Sequence, residues 1–130
     1  MYQIHMGIPE MDDFWRGLRE KTKTGKASKD EERLYKRIGK ALVLLYRNPR
    51  HPGLQSHEID ALSARYGMRV WESYLENHIP KAGRIFWVFA PERNDITIIG
   101  IEPHPDDKNN AYKKITLSRI GKSVSEKEPL

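Results

Sequence analysis

Cysteine is absent from this 130-residue sequence. Disulfide bonds, cysteine-based zinc sites and a thiol nucleophile are therefore excluded. No stretch approaches the roughly 20 apolar residues that a membrane-spanning helix needs. The first residues, MYQIHMGIPEMDDFW, lack the basic start and the apolar run of a signal peptide. We therefore expect a cytoplasmic protein that has no membrane partner.

Acidic residues are fewer than basic ones, 18 against 23, which gives a formal net charge of +5. A small basic domain favours an anionic partner, either a nucleic acid or an acidic protein, although many basic proteins have neither. The five histidines lack the HxH or HxxxH spacing of a strong metal site. We therefore expect no metal and no cofactor.

Apolar residues make up 38% of the chain, enough for one core of modest size. The length and this composition predict a single domain over residues 1–120. The last ten residues, GKSVSEKEPL, are polar and carry no core pattern. We expect them to form a disordered tail over residues 121–130.

Two helical patterns lie in the first half of the chain. Apolar residues at three- and four-residue spacing predict a short first helix, at Met11, Phe14 and Leu18. Ser28 followed by Glu31 matches a capping box, and an apolar stripe follows it over residues 34–45. These features predict a second helix over about residues 29–47. The short polar link between the two helices predicts a hairpin.

Runs rich in β-branched and aromatic residues predict three strands, at about residues 68–77, 84–90 and 95–102. Their short connections fit antiparallel neighbours. Residues 2–6 indicate a short first strand, residues 55–62 a short extended piece, residues 63–67 a turn, and residues 106–117 a short last helix. The order β–αα–βββ–α predicts an α+β fold, in which helices pack on one face of a small antiparallel sheet.

The ordered elements, together with NPRHPGLQSHEI, RVWESYLENH, GRIFWVF and ITIIGIEPHPDDKNNAY, resemble the RelE/ParE superfamily of bacterial toxins over about residues 2–115. RelE-like and HigB-like toxins of type II toxin–antitoxin systems are the most similar members. The resemblance implies a RelE-like fold and a cognate antitoxin as inhibitory partner. It also implies a metal-independent endoribonuclease that cleaves mRNA in the ribosomal A site and so inhibits translation. The alternative is a non-catalytic member of the same fold, either a ParE-like gyrase inhibitor or a degenerate protein-binding module.

Cleavage of RNA without a metal requires a base near the 2′-hydroxyl, a cation for the phosphate and an acid for the leaving 5′-oxygen. The resemblance implies that Arg84, at the start of a strand, contacts the scissile phosphate and that His104 acts as acid or base. Two structural alternatives remain open. Arg84 would instead pair with a carboxylate such as Glu72 across the sheet, and His104 would cap the following helix or meet solvent.

Further catalytic candidates follow from the same resemblance. Tyr112 on the last helix would stack on a base, although packing on the sheet is the commoner role for a helical tyrosine. His57 or Glu58 lies where some relatives place a general base, and each also suits a structural hydrogen bond. RelE itself carries lysines on the first strand of the meander, where this chain has Glu72, so that lysine-based mechanism is not carried over and Glu72 becomes a third candidate base.

Candidate RNA contacts outside the catalytic group are Arg50, Lys81 and Lys108. The second predicted helix also carries a basic face, formed by Arg33, Lys36, Arg37 and Lys40. Such a face would contact ribosomal RNA or an acidic antitoxin, or would simply be solvated.

Overall fold

The computed structural model describes residues 1–6, 9–76 and 83–102. His104, Tyr112, Lys81, Lys108, the predicted last helix and the predicted tail lie outside these residues. The elements in chain order are β1 Gln3–His5, α1 Pro9–Lys23, α2 Lys29–Arg47, a 3-10 turn Pro52–Leu54, β2 His57–Glu58, α3 Asp60–Tyr66, β3 Trp71–Tyr74, β4 Arg84–Phe89 and β5 Asp95–Glu102. The predicted α+β class is confirmed.

The helix hairpin forms as its local sequence predicts. The backbone N–H of Glu31 donates to Ser28 Oγ at 3.1 Å, and the backbone N–H of Ser28 donates to Glu31 Oε1 at 2.9 Å. This capping box satisfies two N–H groups that have no partner within the helix. The stripe on the inner side of α2 is buried, at Leu34, Ile38, Ala41 and Leu45. The ring of Trp15 stacks on Tyr35 at 5.1 Å, which joins α1 to α2.

The sheet has five strands in the order β1-β5-β4-β3-β2. Four of them run antiparallel as predicted, but β1 pairs with β5 in parallel. The predicted antiparallel sheet is therefore wrong at this edge, and the sheet is mixed. The helix hairpin connects β1 at one edge of the sheet to β2 at the opposite edge. A strand of three residues, such as β1, carries no sequence pattern that specifies its partner. Within the sheet β5 lies between β1 and β4, so it is not an edge strand.

Both faces of the sheet are covered. The helix hairpin packs on one face, where Ile38 and Leu45 meet Trp87 and Ile98 in the larger core. A second core on the other face contains Phe86, Val88, Ile99 and, from α3, the fully buried Leu62. The expectation of helices on one face only is therefore wrong.

Helix α3 is the element that the sequence patterns did not predict. Residues 63–67 indicated a turn, but the chain forms a seven-residue helix that ends at Gly67 in the left-handed conformation, with φ 70°. Glycine adopts this conformation without a steric penalty. Seven residues are too few for a clear helical period. Among the described residues, no helix is long and apolar enough to cross a membrane.

Candidate functional site

Three of the side chains discussed above meet on the sheet face away from the helix hairpin. His57 of β2 lies opposite Glu72 of β3 in the ladder, and Arg84 of β4 lies opposite Tyr74 of β3. Side chains of paired residues share a face, and those two residues apart on one strand share it too. His57 Nε2 lies 3.0 Å from Glu72 Oε1, and Arg84 Nη1 donates to Glu72 Oε2 at 3.1 Å. We call these three residues the His–Glu–Arg cluster.

The carboxylate at the centre of this cluster is buried, while the histidine is accessible. The side chain of Glu72 is 1% exposed, that of Arg84 is 9% exposed and that of His57 is 46% exposed. The Arg84 guanidinium also lies over the Phe86 ring, 5.7 Å from its centroid. Arginine is well suited to this setting because it stays charged and binds carboxylates in a defined geometry.

Both ring nitrogens of His57 face oxygen acceptors. Nε2 faces Glu72, and Nδ1 lies 2.9 Å from the carbonyl oxygen of Gln55, a residue with φ 49° in the left-handed region. Only the doubly protonated ring can supply an N–H to each acceptor. In that form the cluster combines two cations with one carboxylate and carries a net charge of +1. His57 can deliver a proton to a ligand only if its ring rotates out of one of these contacts.

Arg84 therefore pairs with Glu72 across the sheet, which is the structural alternative that the sequence left open. Its pairing with Glu72 does not test whether it also meets a phosphate, so that role stays a prediction. Glu72 accepts from Arg84 through Oε2 and contacts His57 through Oε1, so both of its oxygens have partners within the cluster.

Glu58 is separated from the cluster by the alternation of the strand. Arg69 Nε donates to Glu58 Oε1 at 3.0 Å. The hydrogen bond from Arg69, followed by that from Ser63, holds the pKa of Glu58 below its usual range. A lowered pKa makes a carboxylate a poorer general base near neutral pH. Glu58 thus makes a structural contact with Arg69. Of the two candidate bases His57 and Glu58, only His57 belongs to the cluster.

A cleft of about 740 Å³ lies between α2 and the end of β3. We call it the basic cleft, and its lining residues are Lys36, Arg37, Lys40, Leu44, His51, Gly53, Tyr74, Leu75 and Glu76. Arg37 pairs with Glu76 at 3.1 Å, whereas no carboxylate of the described chain pairs with Lys36 or Lys40. Within the described part of the chain, the cleft therefore presents two positive charges that no carboxylate compensates. Helical spacing places these cations on one side of α2 and was the signal for them in the sequence.

Tyr74 connects the basic cleft to the cluster. Its ring lines the cleft and lies edge-on to the His57 ring at a centroid distance of 6.0 Å. On the opposite wall, His51 Nδ1 accepts the backbone N–H of Gly53 at 2.9 Å, so its Nε2 carries the proton of the neutral ring. Gly53 permits this approach, because an added Cβ would lie 3.1 Å from His51 Nδ1. Sequence reasoning did not identify Tyr74 as part of a site, since its role depends on two other elements.

Arg50 lies in neither the cluster nor the basic cleft. It lines a separate cleft of about 500 Å³. We call this the aromatic cleft, and its lining residues are Tyr2, Asn48, Pro49, Arg50, Ser56, Trp71, Trp87 and Phe89. Over the part of the chain that the structure describes, no group of three or more histidine, aspartate and glutamate side chains is arranged to hold a metal ion.

Comparison with known proteins identifies no relative. No protein-family model matches the chain, and no curated protein or solved structure matches it. Inference about function therefore depends on the cluster, the two clefts and the sequence resemblance.

Proposed function

We propose that this chain is a RelE-like toxin, inhibited by a cognate antitoxin, that cleaves mRNA in the ribosomal A site without a metal. The observation that carries the proposal is the convergence of His57, Glu72 and Arg84. Tyr74 connects this cluster to a cleft whose lysines have no acidic partner among the described residues. An ionisable histidine, a fixed arginine and a basic surface are the groups that such a reaction needs. The formal net charge of +5 also suits binding to RNA.

In the proposed reaction the 2′-oxygen attacks the adjacent phosphorus and loses its proton to a base. The bond from phosphorus to the 5′-oxygen breaks, and an acid protonates that oxygen. The products are a 2′,3′-cyclic phosphate and a free 5′-hydroxyl. Arg84, oriented by Glu72, would stabilise the charge on the phosphate. His57, whose side chain is 46% exposed and whose ring would rotate out of one of its contacts, would serve as the acid, and His104 would serve as the base.

The basic cleft would hold the RNA backbone on its way to the cluster. Lys36 and Lys40 offer two cations without acidic partners among the described residues, and Tyr74 lies between them and His57. Lysines that neutralise phosphates release counterions, which makes such binding strong at low salt and weak at high salt.

A non-catalytic binding role is the second candidate, and a specific observation favours it. Arg84 is engaged in a buried ion pair, and both His57 nitrogens face acceptors within the protein. A cluster with only a structural role would have these features. In that case the basic cleft would bind an acidic protein, and the chain would be a gyrase inhibitor of ParE type or a degenerate member of the fold.

Inducible expression in bacteria tests the choice, with growth, translation and mapped mRNA 5′ ends as readouts. The wild type is compared with His57→Gln and with the double variant Lys36→Gln/Lys40→Gln. Lys23→Gln/Lys26→Gln is the control, because it removes the same charge from exposed residues outside the cleft. Each variant is first shown to fold by circular dichroism.

The nuclease proposal expects growth arrest and new 5′ ends within codons for the wild type and the control. His57→Gln should abolish the new ends, and the cleft variant should reduce them at least tenfold. Growth arrest without new ends would refute the nuclease and favour a gyrase target. Absence of arrest would refute the toxin and leave a binding role.

A further inference from the structure

The aromatic cleft lies on the opposite face of the sheet from the His–Glu–Arg cluster. Trp87 and Phe89 alternate along β4 with Arg84 and Phe86, and alternate side chains of a strand point to opposite faces. The cleft opens where the loop after α2, which carries Arg50, approaches the sheet. It is therefore a site distinct from the one proposed for cleavage.

The walls of this cleft are aromatic rings in defined orientations. The rings of Trp71 and Trp87 stack with an interplanar angle of 15° and a centroid distance of 5.7 Å. Phe89 stands nearly perpendicular to Trp87, at 89° and 5.0 Å. Trp87 is 1% exposed and forms the floor, whereas Phe89 is 39% exposed and offers a ring face to a ligand. Rings of this kind are the usual platforms for unstacked nucleobases.

A chain of hydrogen bonds holds the floor of the cleft to its loop. Trp87 Nε1 donates to Ser73 Oγ at 2.8 Å, and Ser56 Oγ donates to the carbonyl oxygen of Pro49 at 2.6 Å. The two serine oxygens are 2.6 Å apart, so the Ser73 hydroxyl must donate to Ser56. Each of these four linked groups therefore has a hydrogen-bond partner. The cleft is thus largely pre-formed, which lowers the entropic cost of ordering it around a ligand.

The polar lining of the cleft is cationic. Arg50 is exposed, and no carboxylate of the described residues pairs with it. Outside the lining, the guanidinium of Arg69, which pairs with Glu58, lies 5.2 Å from the centroid of the Trp71 ring. None of the lining residues is acidic. Flat aromatic walls with an arginine at the rim are complementary to a base and its phosphate, because the rings can stack on the base and the guanidinium can bind the phosphate.

We infer that the aromatic cleft binds one unstacked base of single-stranded RNA, with the ring of Phe89 as its stacking platform and Arg50 on the adjacent phosphate. This inference extends the proposed RNA substrate to a second contact, remote from the cleavage chemistry. It does not require that the chain cleaves RNA.

Tryptophan fluorescence can test the inference in the isolated full-length protein. Two of the three tryptophans line the cleft, so a bound base should quench the emission. The probe is a six-nucleotide 2′-O-methyl oligonucleotide, which cannot undergo attack by a 2′-hydroxyl. Failure of the cleavage proposal therefore leaves this measurement unaffected, and the two outcomes are distinguishable.

Saturable quenching at low salt is the expected result. Phe89→Leu keeps an apolar side chain but removes the ring, and should weaken binding roughly tenfold or more. Arg50→Gln should weaken binding and make the logarithmic salt dependence shallower by about 0.7, the value for one phosphate on a single strand. Tyr46→Leu and Lys26→Gln remove an exposed ring and an exposed cation outside the cleft, and should leave the affinity within about twofold.

Three outcomes would overturn the inference. One is the absence of saturable quenching. Another is binding that neither Phe89→Leu nor Arg50→Gln weakens, which would locate the oligonucleotide elsewhere. The third is saturation by an acidic leucine-containing peptide but not by the oligonucleotide, which would make the cleft a protein-docking site.

Discussion

Replacement of Glu72 by glutamine should destabilise the protein severely, because it removes the carboxylate that pairs with a buried arginine. The side chain of Glu72 is 1% exposed, and Arg84 Nη1 lies 3.1 Å from its Oε2. Unit charges at that separation attract by about 5 kcal/mol at an effective dielectric constant of 20. Removal of one partner of a buried pair typically costs about 3–5 kcal/mol. His57 adds little to this loss, since nearly half of its side chain is exposed and an exposed pair contributes about 0–1 kcal/mol.

Urea unfolding, followed by tryptophan fluorescence, measures this loss without the ionic screening of guanidinium. We expect Glu72→Gln to lower the free energy of unfolding by about 3–5 kcal/mol. The double variant Glu72→Gln/Arg84→Met removes the buried cation together with its carboxylate partner and should be more stable than the single variant. Glu76→Gln is the matched control. It breaks the half-exposed pair with Arg37 and should cost less than about 1 kcal/mol.

The reasoning would be refuted by either of two results. A loss below about 1 kcal/mol for Glu72→Gln would mean that Arg84 does not depend on this carboxylate. A double variant no more stable than the single one would mean that the loss arises from packing rather than from unpaired charge. Both results would also weaken the structural explanation of the cluster and strengthen its proposed role towards phosphate.

Three further predictions concern stability. Ser28→Ala removes the helix cap and should lower the free energy of unfolding by about 1 kcal/mol in urea, and an unchanged value would argue against the capping box. Hydrogen bonding to the backbone of Ser28, and then to Lys21, holds the pKa of Glu31 below its ordinary value. The stability from Glu31 is therefore complete above the ordinary glutamate pKa and is lost as pH falls through the lowered one. Glu31→Gln should accordingly flatten the loss of helical circular dichroism with acid, and an equally steep loss would contradict the assignment. Leu62→Ala should cost about 2–5 kcal/mol if α3 packs on the sheet as described, whereas a value below about 1 kcal/mol would mean that α3 is exposed.

The helix hairpin was determined by the sequence itself, because its signals are local. A capping box joins residues three positions apart, and the stripe from Leu34 to Leu45 repeats every turn. The same holds for the class of the fold, since the order of helical and strand patterns along the chain indicates it. For each of these features the interacting residues are neighbours along the chain, or the composition alone carries the signal.

Only the tertiary structure decided the pairing of β1, the helical form of residues 60–66 and the partners of the site residues. Arg84 and Glu72 are twelve positions apart, and Arg84 and His57 lie on different strands that β3 brings together. In the aromatic cleft, the ring of Tyr2 from the start of the chain contacts the ring of Phe89 from β4. Contacts of this kind depend on strand register and on which elements cover each face of the sheet. No pattern within a short window of sequence records them, because a side chain meets such partners only after the chain has folded.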